Sequence, residues 1–268
     1  MKRTPGQIVI GDRVSVAGGP EAWTIEGVEE RSSVLVRRGR GGSRPKPLAA
    51  NLDHVLAVVA LLEPPATTEL IDRLLVLIES SGMRPLLALN KLDIEGAREW
   101  LGPLADVYET AGYRVLPVSA ASGEGLDSLR AELCRGTSAL IGPSGVGKSS
   151  LLNALDPGLT LRTGSLSGKS GTGRHTTVSS RLIELSCGGY VADTPGFSDV
   201  ALWGIAPSEI AGCFPDFERA EPCRFRGCAH AQEPGCGVRD AVEDGRIHPA
   251  RYRSYRKLYD EALEATSR

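Results

Sequence analysis

Hydrophobic positions divide the 268-residue chain into three stretches. The first holds short β-like runs between turn-forming Gly, Pro and Ser residues, which predicts a small all-β module over residues 1–50. In residues 51–203, strand-like runs alternate with segments of helical periodicity. Residues 204–268 are rich in cysteine and then basic and helical, which indicates a separate C-terminal domain. The runs of the first stretch are Ile8–Ile10, Val14–Val16, Trp23–Ile25 and Val34–Val36.

The alternating middle stretch predicts an α/β fold with a mainly parallel sheet and ligand-binding loops at the carboxyl ends of its strands. Its predicted strands are Val55–Leu62, Leu86–Leu89, Val115–Val118, Ala139–Ile141, Arg181–Leu185 and Tyr190–Ala192. Its predicted helices are Thr68–Ser80, Glu95 to Ala111 with an interruption near Gly102 and Pro103, Leu126–Cys134 and the residues after Ser150.

A glycine-rich segment, GPSGVGKSS, joins one of these strands to a helix and matches the phosphate-binding P-loop. Its glycines let backbone N–H groups face phosphate oxygens, and the helix N-terminus adds partial positive charge. Lys148 would bind the outer phosphates and Ser149 would bind Mg²⁺. An accidental Gly-rich turn is the alternative, which the flanking strand and helix disfavour. The predicted triphosphate-binding residues are Gly142, Pro143, Ser144, Gly145, Val146, Gly147, Lys148, Ser149 and Ser150.

The segment NKLD follows a predicted strand and has the pattern of a guanine-binding loop. The Asp93 carboxylate can accept hydrogen bonds from the ring N–H and the exocyclic amine of guanine. Adenine does not offer both donors, so the pattern disfavours an ATPase. A Ser-Ala pair after the next strand supplies a backbone N–H for the base carbonyl. The predicted base-binding residues are Asn90, Lys91, Leu92, Asp93, Ser119 and Ala120.

Two later segments predict contacts with the γ-phosphate and its Mg²⁺. In DTPG, Asp193 would act on the metal through water and the N–H of Gly196 would reach the γ-phosphate. In GRHTT, Thr176 or Thr177 is a second candidate metal ligand that orders its loop when triphosphate binds. The predicted Mg²⁺ ligands are Ser149, Thr177 and Asp193.

The order of these motifs is unusual, because NKLD precedes the P-loop, whereas ordinary GTPases have it after the P-loop. The same sheet can form if the chain termini move to an exposed loop. We therefore expect a circularly permuted P-loop GTPase domain over residues 51–203. The segment after DTPG then leads directly into the C-terminal domain.

Six cysteines are too few for a disulfide scaffold, and three of them cluster with one histidine. Three thiolates and an imidazole are a complete tetrahedral ligand set for one structural Zn²⁺, and unrelated buried cysteines are the alternative. Cys134 and Cys187 lie near predicted elements, and we expect them to be core thiols. The predicted zinc ligands are Cys223, Cys228, His230 and Cys236.

These motifs, in this order, resemble the RsgA (YjeQ) family of circularly permuted GTPases. The resemblance is carried by AANLD, NKLD, PVSAASGEGL, GPSGVGKSSLLNAL, GRHTT, DTPGF and CRFRGCAHAQEPGC. It implies an oligonucleotide-binding (OB) barrel before the GTPase domain and a zinc domain after it. It also implies hydrolysis of GTP to GDP and phosphate, weak alone and stimulated by the small ribosomal subunit. The expected role is late maturation of that subunit, with its rRNA as a partner.

Two features of the sequence, the residue after DTPG and the N-terminal β module, depart from common patterns. Many GTPases place a glutamine after the DxxG motif to orient the attacking water, but Phe197 occupies that place here. The resemblance points instead to His175 as the catalytic, water-orienting residue. At the N-terminus, four short runs are fewer than the five strands of an OB barrel, so the barrel is incomplete or the true start codon lies upstream.

The charge pattern leaves two interpretations of the basic segments open, a solvated surface and an RNA contact. A net charge of −2 excludes a globally basic nucleic-acid binder. Residues 37–47 and the tyrosine-containing C-terminal helix are each basic, and each is either a solvated surface or an RNA contact. Since the sequence shows no membrane-length apolar run and no export signal, we expect a cytoplasmic monomer without membrane contact. A non-catalytic GTP-sensing RNA-binding switch, or a permuted GTPase acting on another ribosomal partner, are the alternative functions.

Overall fold

A computed structural model of the chain describes residues 7–20, 22–37, 46–159, 161, 181–193 and 205–266. The strands in these ranges are β1 (Val14–Gly19), β2 (Ala22–Val28), β3 (Val34–Arg37), β4 (Lys46–Ala50), β5 (His54–Ala60), β6 (Pro85–Asn90), β7 (Arg114–Pro117), β8 (Thr137–Ile141), β9 (Arg181–Glu184) and β10 (Tyr190–Asp193). The α-helices are α1 (Thr68–Glu79), α2 (Ala97–Thr110), α3 (Leu126–Leu133), α4 (Lys148–Leu155), α5 (Pro207–Ile210), α6 (Gly237–Glu243) and α7 (Pro249–Thr266).

A six-stranded sheet in the order β7-β6-β5-β8-β10-β9 forms the centre of the molecule. The strands are parallel except for the edge strand β9, which is antiparallel to β10. The carboxyl ends of β6, β8 and β10 therefore lie along one edge of the sheet, where ligands bind in open α/β folds. This arrangement confirms the predicted α/β fold and its permuted strand order.

Helices cover both faces of the sheet. On β5, Val55, Ala57 and Val59 pack with residues of α1 and α2, while the intervening residues pack with α3 and α4. Because both faces of β5 are buried, it is a continuous apolar run rather than an alternating one. The helix α2 continues through Pro103, so the predicted interruption is wrong. Its packing against the core offsets the backbone hydrogen bond that a proline removes.

The N-terminal strands differ from the prediction. They form two antiparallel pairs, β1–β2 and β3–β4, and the described residues do not close them into a barrel. Of the predicted strand at Ile8–Ile10, only Ile10 pairs, through a single bridge to Ala49. The sequence also did not predict β4, which begins at Lys46 inside the basic segment. Residues 38–45 of that segment lie outside the described ranges.

A network around Asn51 joins this module to the sheet. The Asn51 side chain accepts a hydrogen bond from the N–H of Ser32 at 2.8 Å and donates one to the carbonyl of Gly11 at 2.8 Å. Leu35 and Ala49 of the module are buried in the same core cluster as α1 and α2. The module is therefore packed on the GTPase-like core rather than joined to it by a linker.

The cysteines outside the predicted zinc set are arranged differently from the expectation. Cys134, at the end of α3, and Cys187, in the β9–β10 turn, form a disulfide. The expectation that both are core thiols is therefore wrong. Cys187 is exposed, since it lies in the tight turn at the edge of the sheet, and Cys134 is half-buried. Within the described helices, none combines the length and the apolar character needed to cross a membrane.

Candidate nucleotide and metal sites

The P-loop backbone has the conformation that its glycines allow. Gly142, Gly145 and Gly147 have φ angles of 151°, 84° and 96°. A Cβ on Gly142 would lie 2.1 Å from the carbonyl oxygen of Val58, and one on Gly147 would lie 2.4 Å from the Nδ2 of Asn90. At these two positions neither the backbone angle nor the space admits a larger residue. The loop thus has the glycine-dependent backbone angles that are typical of phosphate-binding loops.

Lys148 and Ser149 begin α4 directly after this loop. The ammonium of Lys148 donates hydrogen bonds to the carbonyls of Gly142 at 2.7 Å and Pro143 at 2.8 Å. Lys148 is therefore held over the loop, close to the N–H groups of the first turn of α4. This helix end carries partial positive charge, which adds to that of the lysine.

Asn90 connects the two predicted nucleotide loops. It ends β6, and its side chain is buried, with its Nδ2 donating to the carbonyl of Val146 in the P-loop at 2.8 Å. Its Oδ1 is buried and has no hydrogen-bond partner among the described residues. This hydrogen bond joins residues that are 56 positions apart in the chain. The NKLD loop and the P-loop thus lie side by side and form one wall of the predicted nucleotide site. The predicted residues Leu92 and Val146 are buried in the core and position these loops.

The carboxylate of Asp93 is exposed at the end of the same loop. Its Oδ1 accepts a hydrogen bond from the Ser119 hydroxyl at 2.5 Å. The Ser119 oxygen in turn accepts from the N–H groups of Ala121 at 3.2 Å and Ser122 at 3.0 Å. Ser119 therefore orients Asp93 through its side chain, in addition to the backbone contact predicted for the Ser119-Ala120 pair. No local sequence pattern indicates this hydrogen bond.

The loop after β5 is a neighbour of NKLD that sequence reasoning missed. Lys91 has a φ of 68°, and its ammonium donates a hydrogen bond to the carbonyl of Glu63. Glu63 also has a positive φ, of 57°. The Lys91 side chain consequently links NKLD to the loop after β5, and its predicted contact with the base remains a prediction.

The predicted switch residues are only partly within the described ranges. The backbone of Asp193 ends β10, at the same edge of the sheet as the P-loop strand β8. The side chain of Asp193 lies outside the described part of the chain, and so do the residues His175, Thr176, Thr177 and Gly196. Their roles remain predictions.

The four predicted zinc ligands lie together. The ligand atoms of Cys223, Cys228, His230 and Cys236 are all within 4.8 Å of one another. The Nδ1 of His230 lies 3.5 Å from the Sγ of Cys223 and 3.4 Å from that of Cys236, and these two sulfurs are 3.9 Å apart. Bonds of 2.3 Å to sulfur and 2.0–2.1 Å to nitrogen give tetrahedral edges of about 3.8 Å and about 3.5 Å. The donor set therefore fits a tetrahedral metal ion, and Cys213 lies outside it.

Burial shifts the pKa values of two of these ligands, Cys228 and His230. Burial raises the pKa of the Cys228 thiol to about 12 and lowers the pKa of His230. A metal ion binds thiolates, so its binding would release protons from the cysteines and balance the charge they acquire.

The loop around the cluster is shaped by a carboxylate. Glu233 accepts hydrogen bonds from the N–H groups of Ala229 at 2.8 Å, Ala231 at 2.8 Å and Gln232 at 3.0 Å. Backbone hydrogen bonds, from its own N–H and from that of Ala229, lower the pKa of Glu233 to about 2. The side chain thus closes the turn that carries His230, whose φ is 52°.

Tyrosines of α7 hold the same loop from the other side. The hydroxyl of Tyr252 donates to the carbonyl of His230 at 2.6 Å, and that of Tyr255 donates to the carbonyl of Ala229 at 2.8 Å. Tyr255 is buried against Phe214 and Phe217, with ring centroids 5.5 Å and 4.9 Å from its own. These two tyrosines therefore belong to the packing of the domain.

Two basic residues of α7, Arg251 and Lys257, form ion pairs within the chain. Arg251 is 1% exposed and pairs with Asp216 at 2.7 Å and with Asp72 of α1. Burial opposes its charge, but the carboxylates of Asp72 and Asp216 outweigh burial and raise the pKa of Arg251 well above its ordinary value. Lys257 pairs with Glu69 of α1 at 2.7 Å. The helix is thus fastened to α1 of the GTPase-like domain by charge pairs.

The chain is similar to known proteins over most of its length. The family model described as RsgA GTPase matches residues 28–203. A relative from Gemmatimonas aurantiaca, named small ribosomal subunit biogenesis GTPase RsgA, is 45% identical over 96% of this chain and 85% of its own length. Relatives with that name from Moorella thermoacetica and Haemophilus influenzae are 45% and 39% identical, over 94% and 100% of this chain and 84% and 79% of theirs.

Two solved structures match the fold over most of the chain. The crystal structure of YjeQ from Thermotoga maritima matches with a TM-score of 0.80 and 35% identity, over 96% of this chain and 85% of that one. YloQ, described as a circularly permuted GTPase, matches with a TM-score of 0.75 and 32% identity, over 96% of this chain and 82% of that one. With its guanine-type loop, its P-loop and its Cys₃His cluster in this order, the chain belongs to the RsgA GTPase family.

Proposed function

We propose that this chain hydrolyses GTP to GDP and phosphate as a late maturation factor of the small ribosomal subunit. The observation that carries the proposal is the hydrogen bond from Asn90 to the carbonyl of Val146, which joins the guanine-type loop and the P-loop into one wall. The name of the relatives, small ribosomal subunit biogenesis GTPase, supports the cellular role. We further propose that the protein acts in the cytoplasm as a monomer.

In this proposal, the base and the phosphates occupy opposite ends of that wall. Asp93, oriented by Ser119, accepts two hydrogen bonds from guanine, and the Lys91 stem covers the ring. At the other end, the phosphates accept hydrogen bonds from the N–H groups of the P-loop. The phosphates compete for the Lys148 ammonium with the two loop carbonyls that it contacts, because a charge-assisted hydrogen bond to a phosphate is stronger than one to a carbonyl.

The hydrolysis step depends on charge neutralisation and on a positioned water. Ser149, Thr177 and Asp193 would hold Mg²⁺, which neutralises charge on the β- and γ-phosphates when bound. The N–H of Gly196 would contact the γ-phosphate. His175 would orient the attacking water, since Phe197 has no group that can do so. Contact with rRNA would place the His175 segment, which accounts for stimulation by the subunit.

The Cys₃His cluster would hold a structural zinc ion. Its four ligands leave no open coordination position for chemistry, and their spacing fits the tetrahedral geometry of zinc. When bound, the ion replaces a conventional apolar core in the loop of residues 223–236. Because α7 holds this loop and also pairs with α1, the zinc domain has a fixed position on the GTPase domain.

Binding and turnover measurements together test this function. Wild-type protein should sediment with small subunits and not with large subunits when a non-hydrolysable GTP analogue is bound, and less so with GDP. The His175→Ala variant should bind GTP normally but lose subunit-stimulated turnover by about 100-fold or more, the range of positioned proton-transfer and water-orienting groups. Full stimulated turnover in His175→Ala would contradict the role of this residue. Equal sedimentation with large subunits would contradict the proposed partner.

A further inference from the structure

The Cys134–Cys187 pair lies outside both sites and has no part in the mechanism above. Cys134 ends α3, and Cys187 lies in the turn between β9 and β10, with their Cα atoms 5.6 Å apart. This separation is in the ordinary range for a disulfide, so no backbone movement is needed to open or close the bond. Cys187 is exposed and Cys134 is half-buried, which gives small thiols access to the pair.

The turn that carries Cys187 is held against two helices. The carboxylate of Asp156, at the end of the P-loop helix α4, accepts a hydrogen bond from the N–H of Ser186 at 2.6 Å. Gly189 approaches the end of α3 so closely that a Cβ would lie 2.1 Å from the carbonyl oxygen of Leu133. The two cysteines are thus kept at bonding distance by contacts that do not depend on the bond itself.

The position of the pair in the chain gives the bond a consequence. The 53-residue separation encloses the P-loop, α4, the GRHTT segment and β9 in one covalent loop. In the chain, the β9–β10 hairpin that the bond anchors lies between the two predicted switch segments, with GRHTT before Arg181 and DTPG beginning at Asp193. A covalent link at this turn therefore restrains the strand pair that connects the switches.

We propose that Cys134 and Cys187 form a reversible thiol-oxidation site that fastens the β9–β10 hairpin to α3. The proposal rests on the cytoplasmic location under the proposed function, because in a reducing compartment such disulfides are usually transient and redox-sensing. The oxidant is a low-molecular-weight disulfide, RSSR, such as oxidised glutathione.

The exchange proceeds in two balanced steps. The thiolate of the more exposed Cys187 attacks one sulfur of RSSR, forming a mixed disulfide and releasing RS⁻. The Cys134 thiolate then attacks the Cys187 sulfur and releases a second RS⁻. Overall, the two protein thiols lose two electrons and two protons, and RSSR is reduced to two RSH.

Thiol mapping on the zinc-loaded full chain tests the site. In reduced glutathione with a trace of its disulfide, mass spectrometry after alkylation should find both cysteines labelled. In excess oxidised glutathione, the peptides containing Cys134 and Cys187 should become linked, and Cys134→Ser should block the link. The matched variant Cys213→Ser should still form it. A bond that persists in reduced glutathione, or one that never forms with the oxidant, would overturn the proposal.

Hydrogen exchange then tests the consequence independently of GTP turnover. Oxidation should slow exchange of the hairpin amides between residues 185 and 191 by about tenfold, because it suppresses local opening of the turn. The Cys134→Ser/Cys187→Ser variant should show no such change between the two glutathione buffers. Unchanged exchange in an oxidised, linked protein would contradict the restraint. Since neither readout uses GTP or ribosomal subunits, failure here is separate from failure of the proposed function.

Discussion

The nucleotide loops and the Cys₃His region are built in contrasting ways. The nucleotide loops follow the ends of parallel strands, and their shape comes from backbone angles that a few glycines permit. The cluster lies in a segment of residues 223–236, without regular strands, and side chains of a distant helix hold it. One site is thus positioned by the sheet, and the other by its ligands and by α7.

This contrast has an energetic side. The nucleotide loops can keep their shape without a ligand, because the strands, the buried Asn90 and the core residues behind them are already packed. The cluster, by comparison, brings three thiols and an imidazole together in a loop without regular secondary structure, and aromatic side chains such as Phe217 and Tyr255 pack against it from outside the loop. Its stability should therefore depend on the metal, whereas the nucleotide loops should depend on the sheet.

Metal removal should give the largest difference between the two regions. Structural zinc contributes about 10–16 kcal/mol of apparent binding free energy in small zinc modules. Chelation, or Cys228→Ser, should therefore unfold much of residues 205–266 while GTP affinity falls by only about threefold. Circular dichroism and nucleotide titration measure the two effects. Cys213→Ser, a buried cysteine outside the cluster, is the control and should leave the domain folded.

A change at Asp93 should affect the nucleotide site alone. Asp93→Asn can no longer accept both guanine donors, and discrimination of this kind reaches about 10⁴-fold. We expect GTP affinity to fall and xanthosine triphosphate to become the preferred nucleotide, with the thermal midpoint unchanged. Glu95→Gln removes a nearby exposed carboxylate as a control. Retained preference for GTP in Asp93→Asn would disprove the assignment of the guanine loop.

The link between the two regions should be sensitive to Arg251. Arg251→Met leaves the buried carboxylates of Asp72 and Asp216 without their partner, which should cost about 3–5 kcal/mol of unfolding free energy. Denaturant unfolding measures this loss. Arg253→Met, on the exposed side of the same helix, should change stability by less than about 0.5 kcal/mol.

A second variant separates a lost charge pair from a general packing defect. Adding Asp72→Asn and Asp216→Asn to Arg251→Met removes the unpaired charges and should recover part of the stability. If Arg251→Met and Arg253→Met behave alike, the ion pairs do not fasten the domains.

The smallest effect is a pH dependence near the same interface. Burial raises the pKa of Glu79, at the end of α1, to about 7. The folded protein therefore binds this proton more tightly than the unfolded chain, and the resulting contribution to stability is lost as pH rises from about 4.5 to about 7. Glu79→Gln should remove this slope, so that the variant gains stability relative to wild type at pH 8 but not at pH 4. Parallel unfolding curves for the two proteins across this range would exclude the effect.

The same contrast explains what could be predicted from the sequence. Within each of the three motifs, the P-loop, NKLD and the Cys₃His cluster, the residues lie close together in the chain. The chemistry of each motif requires particular residue types at fixed spacing. Their places in the fold followed from the strand–helix alternation. Arg251 pairs with Asp72 across 179 residues, and no local pattern marks such a partner.

The errors have equally specific causes. For α7, the sequence left a solvated surface and an RNA contact open, and its pattern did not indicate that tertiary packing turns Tyr255 and Arg251 inward. Pro103 has a strong helix-breaking preference that core packing overrides. The Cys134–Cys187 pair joins positions brought together only by the sheet edge, so its spacing in sequence carried no signal.

Turnover of GTP with and without purified small ribosomal subunits, over a series of salt concentrations, tests the central claim most directly. We expect slow turnover of the protein alone and a rate at least about tenfold higher with small subunits. The stimulation should weaken as salt rises, because contacts to rRNA phosphates are lost with counterion binding. A rate that small subunits leave unchanged at every salt concentration would contradict the proposal that this GTPase acts on that subunit.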